Sequence, residues 1–125
     1  MNYSQAVAHL YALGQELTRT PPQKFDLAHM RVLLGALQRP ERRFKSVLIA
    51  GTNGKGSTAA TLASILQAAG HRTGLYTSPH LVKVNERIRV DGMAISDADF
   101  AETYNRIDET AKALVARGES FVARL

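Results

Sequence analysis

A glycine-rich loop that carries a lysine is the part of this sequence best suited to chemistry. Residues 47–58 read Val-Leu-Ile-Ala-Gly-Thr-Asn-Gly-Lys-Gly-Ser-Thr, and apolar residues at helical spacing follow them. The pattern predicts a strand, a loop and a helix. The N–H groups and the positive dipole end of a helix start favour an anion, glycine lets the backbone approach it closely, and Lys55 adds a positive charge. We therefore expect this loop to bind the phosphate groups of a nucleotide.

The loop departs from the general P-loop pattern at two positions. Ile49 stands five residues before Gly54, where that pattern has a glycine, and Gly56 follows the lysine, where it has a hydroxyl. One alternative is therefore a glycine-rich turn between strand and helix that carries an exposed lysine by chance. The position of the loop between a predicted strand and a predicted helix favours nucleotide binding over this alternative, and residues 51–58 also resemble a shorter variant of the phosphate-binding loop.

A second stretch with candidate chemistry is Thr-Ser-Pro-His-Leu at residues 77–81, which Asn-Glu-Arg-Ile follows at residues 85–88. It comes directly after a predicted strand, at the edge where open α/β sheets bind ligands. A serine hydroxyl there could reach a magnesium ion held by nucleotide phosphates, because magnesium combines a few oxygen ligands with several waters. From the residue types alone, a turn opened by Ser78 and Pro79 and an ordinary loop histidine at His80 are favoured instead.

Periodicity and turn residues place both stretches in an α/β fold. A predicted helix joins the predicted strands at residues 47–50 and 73–77, so we expect a P-loop-type parallel sheet with a right-handed crossover and flanking helices. Asp91-Gly92 predicts a hairpin turn between two further strands. Three other helices are expected: residues 1–17, capped by Ser4 and broken by Gly14; a helix capped by Asp26 that runs through Leu37; and a helix that Ser96 opens and that runs to Gly118.

Composition is that of an ordinary soluble domain of 125 residues, 45% hydrophobic and 22% charged. The sequence has no apolar run near the length of a membrane span and no signal pattern, so we expect no membrane contact and a cytoplasmic location. The absence of cysteine excludes disulfides and thiolate metal sites. The net charge of +5 is compatible with nucleic acid, but the basic residues are scattered and have few aromatics among them. An anionic small substrate explains the charge equally well, and we expect no nucleic-acid partner.

Two motifs carry a resemblance to a known family. Residues 51–58, Gly-Thr-Asn-Gly-Lys-Gly-Ser-Thr, resemble the variant loop of the Mur ligase superfamily. The glycine after the lysine, Gly56, makes the loop similar to that of the folate branch, the folylpolyglutamate and dihydrofolate synthases. Thr-Ser-Pro-His-Leu with Glu-Arg-Ile resembles the loop of that family whose serine is a magnesium ligand. The resemblance covers residues 25–118 and implies part of a Mur ligase central ATPase domain, with ATP and Mg²⁺ as its cofactors.

With this resemblance, the expected site residues fall into four groups. Lys55 would be the catalytic residue, acting as a charge stabiliser, while Ser78, with Ser57 as a second candidate, would bind magnesium. A Phe-Asp-Leu segment of this kind contributes to the pterin site in the family, which implies substrate binding by Phe25, Asp26 and Leu27. The spacing alone favours Asp26 as a helix cap, and Ala-His-Met-Arg follows where the family usually has a glycine and a glutamate. The expected nucleotide-binding residues are Thr52, Asn53, Gly54, Lys55, Gly56, Ser57 and Thr58.

The implied activity is ATP-dependent ligation of L-glutamate to a folate or dihydropteroate carboxylate through an acyl phosphate. Members of the family have several hundred residues and a C-terminal domain, and residues 119–125 do not resemble the family's continuation. We therefore expect residues 1–125 to be the N-terminal part of the ATP-binding domain, without the C-terminal domain, and to be inactive alone. The full-length form is expected to be a monomer.

Two other functions remain open from the sequence. A P-loop module, such as a truncated chain, could hold nucleotide without turnover. A ligase of the same superfamily could act on a cell-wall precursor, although Gly56 and the Pro-His-Leu of residues 79–81 argue against it. A nucleic-acid-binding domain would explain only the charge.

Overall fold

The computed structural model describes residues 1–19 and 27–118 of the chain. Two compact units share it: Met1–Lys45 together with Ala101–Leu125, and Ser46–Phe100. No helix of the described residues is both long enough and apolar enough to cross a membrane. The elements in chain order are α1 (Tyr3–Arg19), α2 (Leu27–Ala36), a 3₁₀ turn (Pro40–Arg42), α3 (Lys55–Ala68), β1 (Gly74–Tyr76), a second 3₁₀ turn (Val84–Arg87), β2 (Ile88–Val90), β3 (Met93–Ala94) and α4 (Asp97–Ala116).

The first unit is helical, and the residue that caps its first helix is not the predicted one. Asn2 Oδ1 accepts the N–H of Gln5 at 2.9 Å, and Gln5 Oε1 accepts the N–H of Asn2 at 2.9 Å. This reciprocal pair satisfies two N–H groups at the helix start, so Asn2 and not Ser4 is the cap. The prediction that Gly14 breaks the helix was also wrong, because α1 continues to Arg19. Leu114 of α4 is buried in this unit against Leu33 and Ala111.

The second unit contains α3 and a small sheet. Gly70, at φ 90°, follows the end of α3; its N–H donates to the Gln67 carbonyl, and the N–H of His71 donates to the Leu66 carbonyl, both at 3.0 Å. These two bonds are the Schellman ending that a glycine at this position favours. The hairpin turn at Asp91-Gly92 is also confirmed, with both residues at positive φ.

The sheet is antiparallel, which corrects the predicted fold class in part. Its order is β1-β2-β3, with Gly74 opposite Val90 and Val90 opposite Met93. Residues 47–50, the predicted leading strand, form no strand pair with any described segment, and Val47 and Leu48 are 70% and 93% exposed. Helix α3 and the strand after it are present as predicted. A strand also needs a neighbouring strand that bonds to its backbone, and local sequence does not encode which segment that is.

Helix α4 begins where the sequence predicts it. Ser96 Oγ accepts the N–H of Asp99 at 3.0 Å, and the Ser96 carbonyl accepts the N–H of Phe100 at 3.0 Å. The serine hydroxyl therefore satisfies one of the N–H groups that the helix start leaves without an internal partner. Asp97 and Asp99 in the first turn also suit the positive end of the helix dipole.

The corrected cap of α1 gives a stability prediction. Asn2→Ala should lower the free energy of unfolding by about 1 kcal/mol, the usual cost of removing a side-chain cap. Ser4→Ala, two residues further along the chain, is the matched control. It should leave the free energy of unfolding unchanged or raise it slightly, because alanine is the better helix former. Urea unfolding followed by circular dichroism measures both; a larger loss from Ser4→Ala than from Asn2→Ala would contradict the assignment.

Candidate functional site

The glycine-rich loop, residues 51–57, leads directly into α3. Gly54 is the N-cap of this helix and has φ 75° and ψ 6°, a left-handed conformation that glycine adopts without strain. The first bond within the helix runs from the Thr58 N–H to the Gly54 carbonyl at 3.0 Å. No side chain caps the helix. The N–H groups of Lys55, Gly56 and Ser57 therefore lack an acceptor inside the helix and can donate to a bound anion.

The loop backbone also faces open space. A Cβ atom added at Gly54 or Gly56 would meet no atom within 4 Å. Gly56 lies in the first turn of α3, and its missing side chain leaves that turn accessible. A ligand can therefore approach the helix start directly.

Lys55 is the first residue of α3, and its side chain lies close to the start of the loop. Its Cγ atom is 3.8 Å from the position that a Cβ on Gly51 would occupy. Thr52 and Asn53 form the exposed bend before Gly54, while Ser57 and Thr58 lie in the exposed first turn of α3. All seven predicted nucleotide-binding residues are thus brought together around one helix start.

Ser78 lies on a second loop, residues 78–83, which we call the Ser78 loop. It follows Thr77 at the end of β1, its side chain is exposed, and the Ser78–Pro79 peptide bond is cis. The Thr77 N–H donates to the Arg87 carbonyl at 3.0 Å, and Arg87 Nε donates to His80 Nδ1 at 2.8 Å. Arg87 therefore holds the chain on both sides of Ser78.

Glu86 fixes the other half of the Ser78 loop. Its carboxylate accepts three backbone N–H groups, from Leu81 at 2.8 Å, Val82 at 3.0 Å and Lys83 at 2.9 Å. These bonds, with that of Lys83 the largest cause and that of Leu81 the next, hold the pKa of the Glu86 carboxyl below its ordinary value of 4.5. The loop therefore depends on a charged carboxylate.

Asn85 attaches this arrangement to the start of α4. It is only 4% exposed, and its Nδ2 donates to the Ile95 carbonyl and to Asp97 Oδ1, both at 2.9 Å. Lys83 Nζ pairs with the same Asp97 oxygen at 2.8 Å. Neither Asn85 nor Glu86 has a role that could be predicted from the Asn-Glu-Arg-Ile stretch alone. The only signal in the sequence was a pair of adjacent polar residues, and the Asp97 partner of Asn85 lies 12 residues away.

The predicted magnesium ligands are hydroxyl groups on two segments of the second unit. Ser57 lies in the first turn of α3 and Ser78 after β1, and both side chains are exposed. Hydroxyl oxygen suits magnesium, which would still need water and phosphate oxygens to complete an octahedral set. Within residues 1–19 and 27–118, no group of three or more His, Cys, Asp or Glu side chains could hold a metal ion. Both serines supply the oxygen type that magnesium prefers, and their binding of a single ion stays a prediction.

The predicted substrate residues are placed only in part. Phe25 and Asp26 lie outside the described residues. Leu27 is the first residue of α2, in the first unit, and is 55% exposed. The role of this segment stays a prediction.

A shallow groove of about 220 Å³ lies between α3 and the sheet. Ser64, Gln67 and Arg89 are among its lining residues, and Gln67 Nε2 donates to the Asp91 carbonyl at 3.0 Å. It contains none of the predicted site residues.

The Glu86 carboxylate gives a pH prediction. Because its pKa is lower in the folded chain than the ordinary 4.5, its stabilisation is complete above about pH 4.5 and is lost as the pH falls through the lowered pKa. Glu86→Gln should therefore be less stable than the wild-type chain at neutral pH, and the difference should shrink below pH 4.5. Urea unfolding at a series of pH values tests this, with Glu109→Gln on the exposed face of α4 as the control. A difference independent of pH down to pH 2 would contradict the carboxylate's role.

Comparison with known proteins identifies close relatives, although no family model matches the chain. A dihydrofolate synthase/folylpolyglutamate synthase of Bacillus subtilis is 42% identical over 91 residues, which are 73% of this chain and 21% of that protein. A folylpolyglutamate synthase of Arabidopsis thaliana is 37% identical over 116 residues, which are 86% of this chain and 20% of that protein. The chain spans about a fifth of the length of these curated relatives.

Solved structures of the same kind match almost the whole chain. The folylpolyglutamate synthetase from Lactobacillus casei aligns with a TM-score of 0.84 and 33% identity, covering 97% of this chain and 29% of that one. A complex of such a synthase with AMPPCP, an ATP analogue, and folate aligns with a TM-score of 0.80 and 32% identity, covering 97% of this chain and 28% of that one. By sequence and by fold, the chain therefore belongs to the family of folylpolyglutamate synthases and dihydrofolate synthases.

Proposed function

We propose that the chain is the N-terminal part of the ATP-binding domain of a ligase that joins L-glutamate to the carboxylate of a folate or dihydropteroate. The observation that carries this proposal is the start of α3, where Gly54 takes a left-handed conformation, no side chain caps the helix, and Lys55 is the first residue. The complex of a related synthase with an ATP analogue and folate supports it. A cell-wall precursor as substrate has no such support among these relatives.

The reaction needs ATP because an unactivated carboxylate is a poor electrophile. Transfer of the γ-phosphoryl group to a carboxylate oxygen would form an acyl phosphate and release ADP. The amine of L-glutamate would then attack the acyl carbon, form the amide bond and release inorganic phosphate. No general base is required if the amine arrives neutral.

The residues of this chain would act by positioning and electrostatics. The N–H groups at the start of α3 would hold the β-phosphate side of ATP, as helix starts do for other phosphates. Lys55 would offset negative charge on the moving phosphoryl group, and Thr52, Asn53 and Thr58 would complete the loop around the phosphates. Charge stabilisation of this kind needs no proton transfer by the lysine.

Ser78, with Ser57 as the second candidate, would hold magnesium through hydroxyl oxygen. The ion would supply positive charge against the β- and γ-phosphate oxygens. Phe25, Asp26 and Leu27 would contribute to the pterin side of the acyl substrate's site. Their placement beside that site is a further proposal.

The first test of the proposal is Lys55→Ala. In a full-length synthase that carries this sequence, the variant should lose measurable turnover and keep its fold, because the phosphates lose a charge-assisted partner and no core contact is removed. Lys45→Ala, in the exposed linker before residue 46, is the matched control and should keep wild-type turnover. Glutamate incorporation and circular dichroism measure the two properties; unchanged turnover in Lys55→Ala would refute the role of the lysine.

A second test concerns residues 1–125 alone. They should bind ATP weakly and should not catalyse repeated ligation, because the exposed loops provide one wall of a site that must hold carboxylate, phosphate and amine together. Water would also reach the acyl phosphate and hydrolyse it. The assay is ligation of glutamate to dihydropteroate by the purified chain, with ATP hydrolysis measured in parallel. Repeated turnover at ordinary enzyme rates would show that this part of the protein is sufficient.

A further inference from the structure

We propose that Glu86 and Arg87 are positioning residues that set the place of the Ser78 hydroxyl for magnesium binding. This inference rests on the proposed function, since it concerns how the chain presents its candidate magnesium ligand. Neither residue is placed among the ligands themselves. They act through the Ser78 loop.

Arg87 holds the chain at the residue before Ser78 and at the second residue after it. Its carbonyl accepts the N–H of Thr77 at 3.0 Å, and its Nε donates to His80 Nδ1 at 2.8 Å. Ser78 and Pro79 are the two residues between these points. Arg87 thus limits the positions that Ser78 can take through one backbone bond and one side-chain bond.

Hydrogen bonds to Glu86, and not hydrophobic packing, hold the Ser78 loop in place. The Leu81 and Val82 side chains are 94% and 83% exposed, so they contribute little packing to the loop. The backbone of both residues, and of Lys83, is instead bonded to the Glu86 carboxylate. Charge-assisted bonds of this kind are stronger than neutral ones, and three of them converge on one group. The shape of the loop therefore depends on Glu86.

Glu86 and Arg87 lie in a turn that is itself attached to other parts of the second unit. They belong to the 3₁₀ turn Val84–Arg87, in which Val84 and Asn85 are buried. Asn85 is bonded to the Ile95 carbonyl and to Asp97, and Arg87 is followed directly by β2. A turn anchored on one side to α4 and on the other to the sheet can hold a neighbouring loop in place.

Residues that orient a metal ligand without touching the metal commonly change metal affinity by about 10- to 100-fold when mutated. Their effect should pass through the ligand that they orient. For Glu86 and Arg87 this gives a specific expectation: loss of either should weaken the magnesium-dependent part of ATP binding and spare the part that the α3 start provides.

The experiment is a titration of the full chain with ATP, in excess EDTA and in excess Mg²⁺, by isothermal calorimetry. We expect Glu86→Gln and Arg87→Lys to reduce the magnesium-dependent gain in ATP affinity by about tenfold or more, or to remove it where it is smaller, with unchanged affinity in EDTA. In a Ser78→Ala background, which should lack most of that gain, neither variant should cause a further loss. Glu109→Gln and Arg106→Lys, both on exposed positions of α4, are the charge-matched controls.

Two results would overturn the inference while leaving the proposed function intact. One is an unchanged magnesium-dependent gain in both variants; the other is a loss that is equally large in EDTA or in the Ser78→Ala background, which would show a general effect on folding. If the wild-type chain itself shows no gain with Mg²⁺, the proposed magnesium site fails and the inference fails with it. Arg87→Lys, which changes one side-chain bond, carries the same test if Glu86→Gln does not fold by circular dichroism.

Discussion

Backbone N–H groups at the start of a helix must find acceptors outside the helix, and in α3 no side chain provides one. The N–H groups of Lys55, Gly56 and Ser57 therefore stay available, and a Cβ added at Gly54 or Gly56 would meet no atom within 4 Å. Elsewhere in the chain the same requirement is met internally, by Asn2 in α1 and by Ser96 in α4. The contrast explains why α3, alone among these three helix starts, is suited to an external anion.

The Ser78 loop also has backbone N–H groups that need an acceptor, but here a side chain of the chain itself provides it. There the chain supplies its own anion, the Glu86 carboxylate, to three backbone N–H groups that no regular structure satisfies. A loop closed by its own carboxylate has a defined shape before any ligand arrives, whereas an uncapped helix start remains available. The second unit thus contains one open loop and one preformed loop. In the proposed function the first would hold phosphate and the second would present a hydroxyl to the metal.

Local interactions explain which predictions were confirmed. The helix start after Gly54, the α3 ending at Gly70, the Asp91-Gly92 turn and the Ser96 cap each depend on residues within about five positions, so their residue types are sufficient. The cap of α1 was misjudged because Asn2 and Ser4 are both good caps. Asn2 has Gln5 three residues later as its reciprocal partner, while Ser4 has Val7, which cannot accept a hydrogen bond.

The features that the sequence did not predict depend on partners that are distant in the chain. The pairing of β1 with β2, and the lack of a described partner for residues 47–50, depend on segments that local periodicity does not specify. The contact of Asn85 with Asp97 also spans 12 residues, and the sequence shows only that a polar residue lies near a turn. The place of the glycine-rich loop before a helix could be predicted because it depends on local residue types, and nucleotide binding by this loop stays a prediction. The magnesium and pterin residues came from family resemblance and stay predictions.

The position of α4 limits how this chain can be divided. The boundary between the two units falls once at Lys45 and Ser46, in a segment without helix or strand, and once between Phe100 and Ala101, inside the first turn of α4. A separately expressed Ser46–Phe100 piece would keep the Ser96 cap but only four residues of the helix, too few to form one. The Asn85 and Lys83 bonds to Asp97 would then lose their helical anchor. Deletion mapping of the glycine-rich loop and the Ser78 loop therefore has to retain the whole of α4, even though most of that helix belongs to the other unit.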